Sequence, residues 1–109
     1  MVAIADILHG DRTGQDVELR GWIYRTRAVG GKAFVVLRDS TGVLQCTIAK
    51  GAVSADAFSA AGKALIESSV VVRGTVSADK RAPGGYEVRA SDFRVLHYAE
   101  KFPIQADLS

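Results

Sequence analysis

Phe34, Arg38 and Gln45 stand within one short run, FVVLRDSTGVLQ, at residues 34–45 of a 109-residue chain. A flat ring stacks on a nucleobase, an amide offers a donor and an acceptor to a base edge, and a guanidinium meets phosphate. Glu87 adds an acceptor-only carboxylate that suits the Watson–Crick edge of guanine. Cations gather around this run: Arg20, Arg25, Arg27, Lys32 and Arg38 occur with no carboxylate among them. Such a stripe is the electrostatic footprint of a phosphate contact. Each residue also has a plainer reading. Phe34 fits a barrel core as well as an outer face, Gln45 and Glu87 fit a solvated strand, and the cations fit a solvated face. Arg38 can pair with Asp39 at a turn, but exposed pairs contribute only about 0–1 kcal/mol, so stability alone gives little reason for the arginine.

Strands must hold these side chains. Val17 to Arg27 reads as a strand in which Val17, Leu19, Gly21 and Ile23 alternate with Glu18, Arg20, Trp22 and Tyr24. Gly30-Gly31 makes a turn before a second strand, Ala33 to Arg38. Asp39-Ser40-Thr41-Gly42 makes another, with Gly42 suited to a left-handed backbone, before a third strand, Val43 to Ala49. Parity places Phe34, Val36 and Arg38 on one face, opposite Val35 and Leu37. On the third strand Leu44, Cys46 and Ile48 form the more apolar set, so Gln45 should point away from the core with Val43 and Thr47. Trp22 and Tyr24 are expected as packing residues at the barrel wall.

Residues 52–67 are Ala-rich, and Phe58, Ala61, Leu65 and Ile66 recur at helical spacing behind a possible Ser54 cap. Val70 to Val76 is a fourth strand. A loop from Ala78 to Gly85 carries Asp79, Lys80, Arg81 and Pro83. Tyr86 to Ala90 and Phe93 to Tyr98 read as a fifth strand, interrupted near Ser91-Asp92. Residues 3–9 suit one short helical turn. Three strands, a helix and two strands give an all-β fold with one helix, the order of the five-stranded OB-fold Greek-key barrel, with the helix between strands three and four. The strands 2–3 face of that barrel binds oligonucleotides or oligosaccharides, although the fold alone does not name the ligand.

The chain is long enough for one domain with one core. A net charge of +2 makes it no polycation, so any phosphate binding has to be local. Cys46 is the only cysteine and sits in an apolar strand pattern, which predicts a buried thiol and excludes an internal disulfide or a cysteine-built metal site. A lone cysteine fits a reducing cytoplasm. His9 and His97 lack a ligand-spaced partner, no nucleophile–base pattern is visible, and there is no phosphate-binding P-loop. Neither a signal peptide nor an apolar stretch of membrane-spanning length is apparent.

The segments RGWIYRTR (20–27), FVVLRDSTGVLQ (34–45), ESSVVVRGTV (67–76), RAPGGYEV (81–88) and AEKFPI (99–104) resemble the N-terminal anticodon-binding domain of asparaginyl-tRNA synthetases, archaeal type. The first two patterns are shared with aspartyl-tRNA synthetases and more loosely with lysyl ones; the last three favour the asparaginyl branch. The resemblance implies that Phe34 stacks on the central anticodon uridine and that Gln45 hydrogen-bonds it. It implies that Glu87 helps to read the first anticodon base, and that Arg20, Arg25 and Arg27 lie near the anticodon backbone. The loop Lys80–Gly85 falls where the family inspects the third base. The implied partner is the anticodon loop of an Asn tRNA, in the cytoplasm. The class II motifs that bind ATP and amino acid are absent, so this polypeptide alone is not expected to aminoacylate. No cofactor is expected in it, ATP and magnesium being implied only for the missing catalytic domain. The expected organisation is an OB domain over 1–104 and the start of a linker over 105–109, as in an excised domain. The parent enzymes are homodimers, and a monomer is expected here. Rival readings are the corresponding domain of an aspartyl enzyme, a sequence-tolerant single-strand binder and a protein-interaction domain.

Overall fold

The computed structural model describes residues 1–64 and 66–97. Five strands, β1 (Asp16–Val29), β2 (Lys32–Asp39), β3 (Gly42–Ala49), β4 (Ser69–Ala78) and β5 (Tyr86–His97), close into a barrel of order β1-β2-β3-β5-β4. All neighbours are antiparallel except β3 and β5, which run parallel. This is the expected OB topology, with two helices: α1 (Ile4–Gly10) and α2 (Ala55–Lys63). The expected strand at Tyr98, Leu65 on the helix, the 99–104 segment and the domain boundary at 104 lie outside the described residues.

Alternation builds the interior. Leu19, Ile23, Val35, Leu37, Leu44, Cys46, Ile48, Val70, Val72, Val76 and Val88 have almost no exposure. Each such aliphatic side chain contributes roughly 1.5–3 kcal/mol by leaving water. Burial pushes the Cys46 thiol up to about 12, with the nearby Glu87 carboxylate adding to the effect. It is therefore the inert thiol that its strand pattern predicts.

α1 adds Ile4 and Ile7 to this core. It is short, and its first N–H groups are satisfied from the β2–β3 turn: Ile4 N donates to Asp39 Oδ2 at 2.9 Å and Ala5 N to Thr41 Oγ1 at 3.0 Å. The same Asp39 carboxylate accepts from Thr41 N, Thr41 Oγ1 and Gly42 N. The turn therefore runs on side-chain hydrogen bonds, and Gly42 does not adopt the expected left-handed backbone. It packs under α1, where a Cβ would stand in ordinary contact distance, 3.4 Å from Ile4 and 3.5 Å from Leu8.

Ser54 caps α2 by accepting from Ala57 N at 3.0 Å. The helix ends at Lys63, short of residue 67, and Ile66 is exposed where helical spacing places it on the apolar face. The barrel takes the backbone at that point. Glu67 N donates to Ile23 O and Ile23 N to Ser68 O, which extends the ladder beside β1. Glu67 turns the chain there with φ 72°. The expected interruption of strand five is a bulge inside one continuous strand, because the register passes from Arg73↔Asp92 to Gly74↔Ala90 and leaves Ser91 unpaired. Gly74 permits the tight closure beside it; a Cβ there would collide with the Arg89 carbonyl oxygen and the Val88 side chain.

Candidate nucleic-acid interface

The outer face of β1, β2, β3 and β5 gathers most of the residues singled out from sequence. Parity holds on β2, where Val35 and Leu37 are buried and Phe34, Val36 and Arg38 are half-buried on the outside. It holds on β3, where Gln45 and Thr47 face outward. Phe34 pairs with Thr47 and Val36 with Gln45 across the β2–β3 ladder. The parallel β3–β5 pairing then sets Gln45 beside Glu87 and Thr47 beside Arg89.

On β1 the pairing with β2 skips Tyr24: Ile23 faces Leu37, then Arg25 faces Val36 and Arg27 faces Phe34. A one-residue bulge reverses side-chain parity. By simple alternation Arg25 and Arg27 would share the inner face with Ile23; the bulge turns them outward. The Arg27 guanidinium lies 4.7 Å from the Phe34 ring centroid, over its face.

Glu87 is the anchor of this surface. Only 6% of the residue is exposed, yet it is charged. Its Oε1 accepts from Thr47 Oγ1 at 2.6 Å and from Gln45 Nε2 at 3.3 Å, and Arg89 Nε stands 3.4 Å from Oε2. A buried carboxylate held by several donors keeps one orientation, since each bond broken away from water costs free energy.

Two hollows share Phe34 as a wall. One, of about 420 Å³, is lined by Lys32, Thr47, Glu87 and Arg89. The other, of about 320 Å³, is lined by Arg27 and Gln45. Asp79 and Arg81, from the β4–β5 loop, border both. A ring between two hollows, one with a carboxylate and one with an amide, can stack flat groups and test their edges by hydrogen bonds. The cations around it suit a polyanion.

The structure thus brings Phe34, Gln45, Glu87 and Arg27 together, with Arg25 two register pairs further along. It does not bring Arg20 or Arg38 to the ring. Arg38 lies at the other end of β2, roughly 13 Å from Phe34 by strand rise. There its guanidinium holds the Glu67 carboxylate at 2.6 Å and stands 5.6 Å from the Trp22 ring centroid. Its partner is Glu67 rather than Asp39, the pairing the sequence offered as an alternative to a phosphate contact, because Asp39 is committed to the turn and α1. Arg20 is exposed and pairs with Val71, two register pairs beyond Trp22. Trp22 and Tyr24 are not wall packing: they are 43% and 45% exposed, with Arg38 and Arg25 over their rings. Sequence reasoning named no role for Thr47, Arg89 or Asp79, and gave Arg81 one only as part of the Lys80–Gly85 loop. Thr47 and Arg89 were reachable by parity, being two residues from Gln45 and Glu87. Nothing local placed Asp79 and Arg81 against Phe34.

The profile of the tRNA anti-codon family, an OB-fold nucleic acid binding domain, matches residues 17–96. The chain belongs to this family. It is similar to the asparagine–tRNA ligase of Thermoplasma acidophilum, 42% identical over 107 residues, which are 98% of this chain and 25% of that protein. The Thermococcus gammatolerans asparagine–tRNA ligase is 48% identical over 96 residues, 88% of this chain and 22% of that one. Among solved structures, the crystal structure of asparaginyl-tRNA synthetase from Pyrococcus horikoshii complexed with asparaginyl-adenylate superposes with a TM-score of 0.86 at 42% identity, covering 94% of this chain and 24% of that one. The OB domain therefore spans about a quarter of the length of these relatives.

Proposed function

We propose that this OB domain is the anticodon-recognition module of an asparagine–tRNA ligase. Its ligand is the anticodon loop of a tRNA, splayed onto the outer face of β1–β3. Phe34 stacks on the central uridine, Gln45 hydrogen-bonds that base, and Glu87 faces the neighbouring first base from the adjoining hollow. Arg27 and Arg25 meet phosphates beside the ring, and Arg20 extends the cationic edge. Arg38 stands apart, at the far end of β2 with Glu67 as its ion-pair partner. Phosphate contacts supply affinity and orientation, and base contacts supply selection. Aminoacylation belongs to the part of the relatives that this chain does not span. The observation that carries the reading is the convergence of Phe34, Gln45, Glu87 and Arg27 on one face, in a chain with asparagine–tRNA ligases as relatives.

An NMR titration with three anticodon stem-loops tests it: GUU, GUC and GCU. Shifts confined to the outer face of β1–β3 and β5 that require the central uridine are expected, with GUU preferred over GUC. Equal shifts with all three would reduce the domain to a sequence-tolerant single-strand binder, and a preference for GUC would move it to an aspartyl enzyme. Sedimentation is expected to show a monomer; a stable dimer would overturn that part of the reading.

A further inference from the structure

The hydrogen bonds around Glu87 also decide which end of the Gln45 amide faces a ligand. A carboxylate can only accept, so the Gln45 atom turned toward it must be the NH2 group. The observed bond runs from Gln45 Nε2 to Glu87 Oε1. Thr47 Oγ1 donates to the same oxygen, so the hydroxyl cannot offer a competing donor to Gln45 without giving up that bond. One of the two amide N–H donors is thus engaged within the protein, which fixes the amide's sense, the nitrogen toward Glu87 and the oxygen on the other side, while Gln45 also lines the second hollow with Arg27 and Phe34. What Gln45 has left to present is its carbonyl oxygen, its only acceptor, with one N–H beside it in a fixed order.

We propose that Glu87 is a specificity-determining positioning residue: it turns the Gln45 amide so that an acceptor faces the hollow, which selects a base bearing an imino N–H over one bearing a bare ring nitrogen. Uracil carries N–H at N3. Cytosine carries an unprotonated N3, and an acceptor set against it meets another lone pair. A free glutamine could satisfy either pyrimidine by flipping its amide; Glu87 removes that freedom. The selection lies in the position of the amide as well as in its identity, since leaving a polar group unpaired costs more than a matched bond gains. The inference rests on the proposed reading of the central base by Gln45, and it assigns Glu87 a task separate from any contact with the first base.

The test compares wild type, Glu87→Gln and Gln45→Ala against stem-loops with U or C at the centre, and against one with the first G replaced by A. Glu87→Gln keeps the shape but supplies a donor as well as an acceptor, so the Gln45 amide can flip. The expected result is a U-over-C ratio reduced about tenfold, approaching that of Gln45→Ala. A Glu87→Gln protein that keeps the full wild-type U-over-C ratio would overturn the inference while leaving central-base reading by Gln45 intact. Loss confined to the G-over-A ratio at the first base would do the same. A wild-type protein with no U-over-C preference would sink the reading itself, and the inference with it. Should Glu87→Gln fail to give a cooperative thermal transition, the RNA-free wild type decides. NOEs from the Gln45 side-chain NH2 protons to Glu87 and Thr47 are expected, and an amide with none to either residue overturns the proposal.

Discussion

Arg27 lies 4.7 Å from the centre of the Phe34 ring and Arg38 lies 5.6 Å from that of Trp22, two copies of one contact on the same outer face. Their surroundings differ. Arg38 is bonded through one nitrogen to both oxygens of Glu67, at 2.9 and 2.6 Å. Among the described residues Arg27 has no carboxylate within ion-pair distance. The two ring contacts contribute similar small amounts, roughly 0.5–1 kcal/mol each at exposed sites. Charge compensation, not stacking, separates them: one arginine is a fastener between β2 and the segment before β4, and the other is an open cation beside a ring. Asp39 reinforces the contrast at the Arg38 end, where it ties the turn to α1.

Substitutions at the two ends should therefore move different observables. Phe34→Ala is expected to weaken stem-loop binding by about 1–3 kcal/mol, the cost of one base–aromatic stack, with the thermal transition kept. Trp22→Ala should leave RNA affinity within about twofold. Fluorescence anisotropy beside a thermal melt reads both, and equal losses would erase the distinction. Asp39→Ala should do the reverse, lowering stability by about 1–2 kcal/mol through loss of a helix cap and the turn hydrogen bonds while RNA affinity of the folded protein is unchanged.

Acid should act at that same end. Burial alone would raise the Asp39 carboxyl, but its hydrogen bonds from Thr41, Ile4 and Gly42 outweigh burial and hold it below the usual carboxylate value. A depressed folded pKa contributes stability that is present above the unfolded pKa, about 4, and is lost as pH falls through the folded one. Melting temperatures of wild type should drop across that range more than those of Asp39→Asn; parallel curves would show that Asp39 carries no such linkage.

Smaller effects sharpen the arginine comparison. Arg27→Gln should flatten the dependence of log affinity on log salt by about 0.7, the share of one single-strand phosphate contact, whereas Arg38→Gln should leave the slope unchanged. A slope altered equally by both would mean that Arg38 also meets a phosphate on binding. Smallest of all, Glu67→Gln should change stability by about 0–1 kcal/mol, as expected of an exposed pair; a loss beyond about 2 kcal/mol would make the bridge a structural element in its own right.

Much of this surface was legible in the chain itself. Alternation in VLQCTI placed Gln45 and Thr47 outward and Leu44, Cys46 and Ile48 inward, and in FVVLR it set Phe34 and Arg38 opposite Val35 and Leu37 while leaving open which set is inside, because side-chain direction in a strand depends only on position along it. Helical spacing located α2 but misjudged its end, because the backbone after Lys63 is drawn into the β1 ladder by partners at Ile23 that no local pattern shows.

Sequence by itself therefore determined the order of the elements, the inner and outer sets on β3, the two faces of β2, the buried thiol of Cys46 and the types of residue available to a polyanion. Tertiary structure alone decided which of them meet. The parallel β3–β5 pairing brings Gln45 to Glu87 across 42 residues, and barrel closure gives Arg38 to Glu67 across 29. The skipped Tyr24 turns Arg25 and Arg27 to the face where Phe34 stands. Strand periodicity is a property of neighbouring residues, but partner choice and bulges are settled by the ladder that closes the barrel, and the ladder is built from residues far apart in the chain.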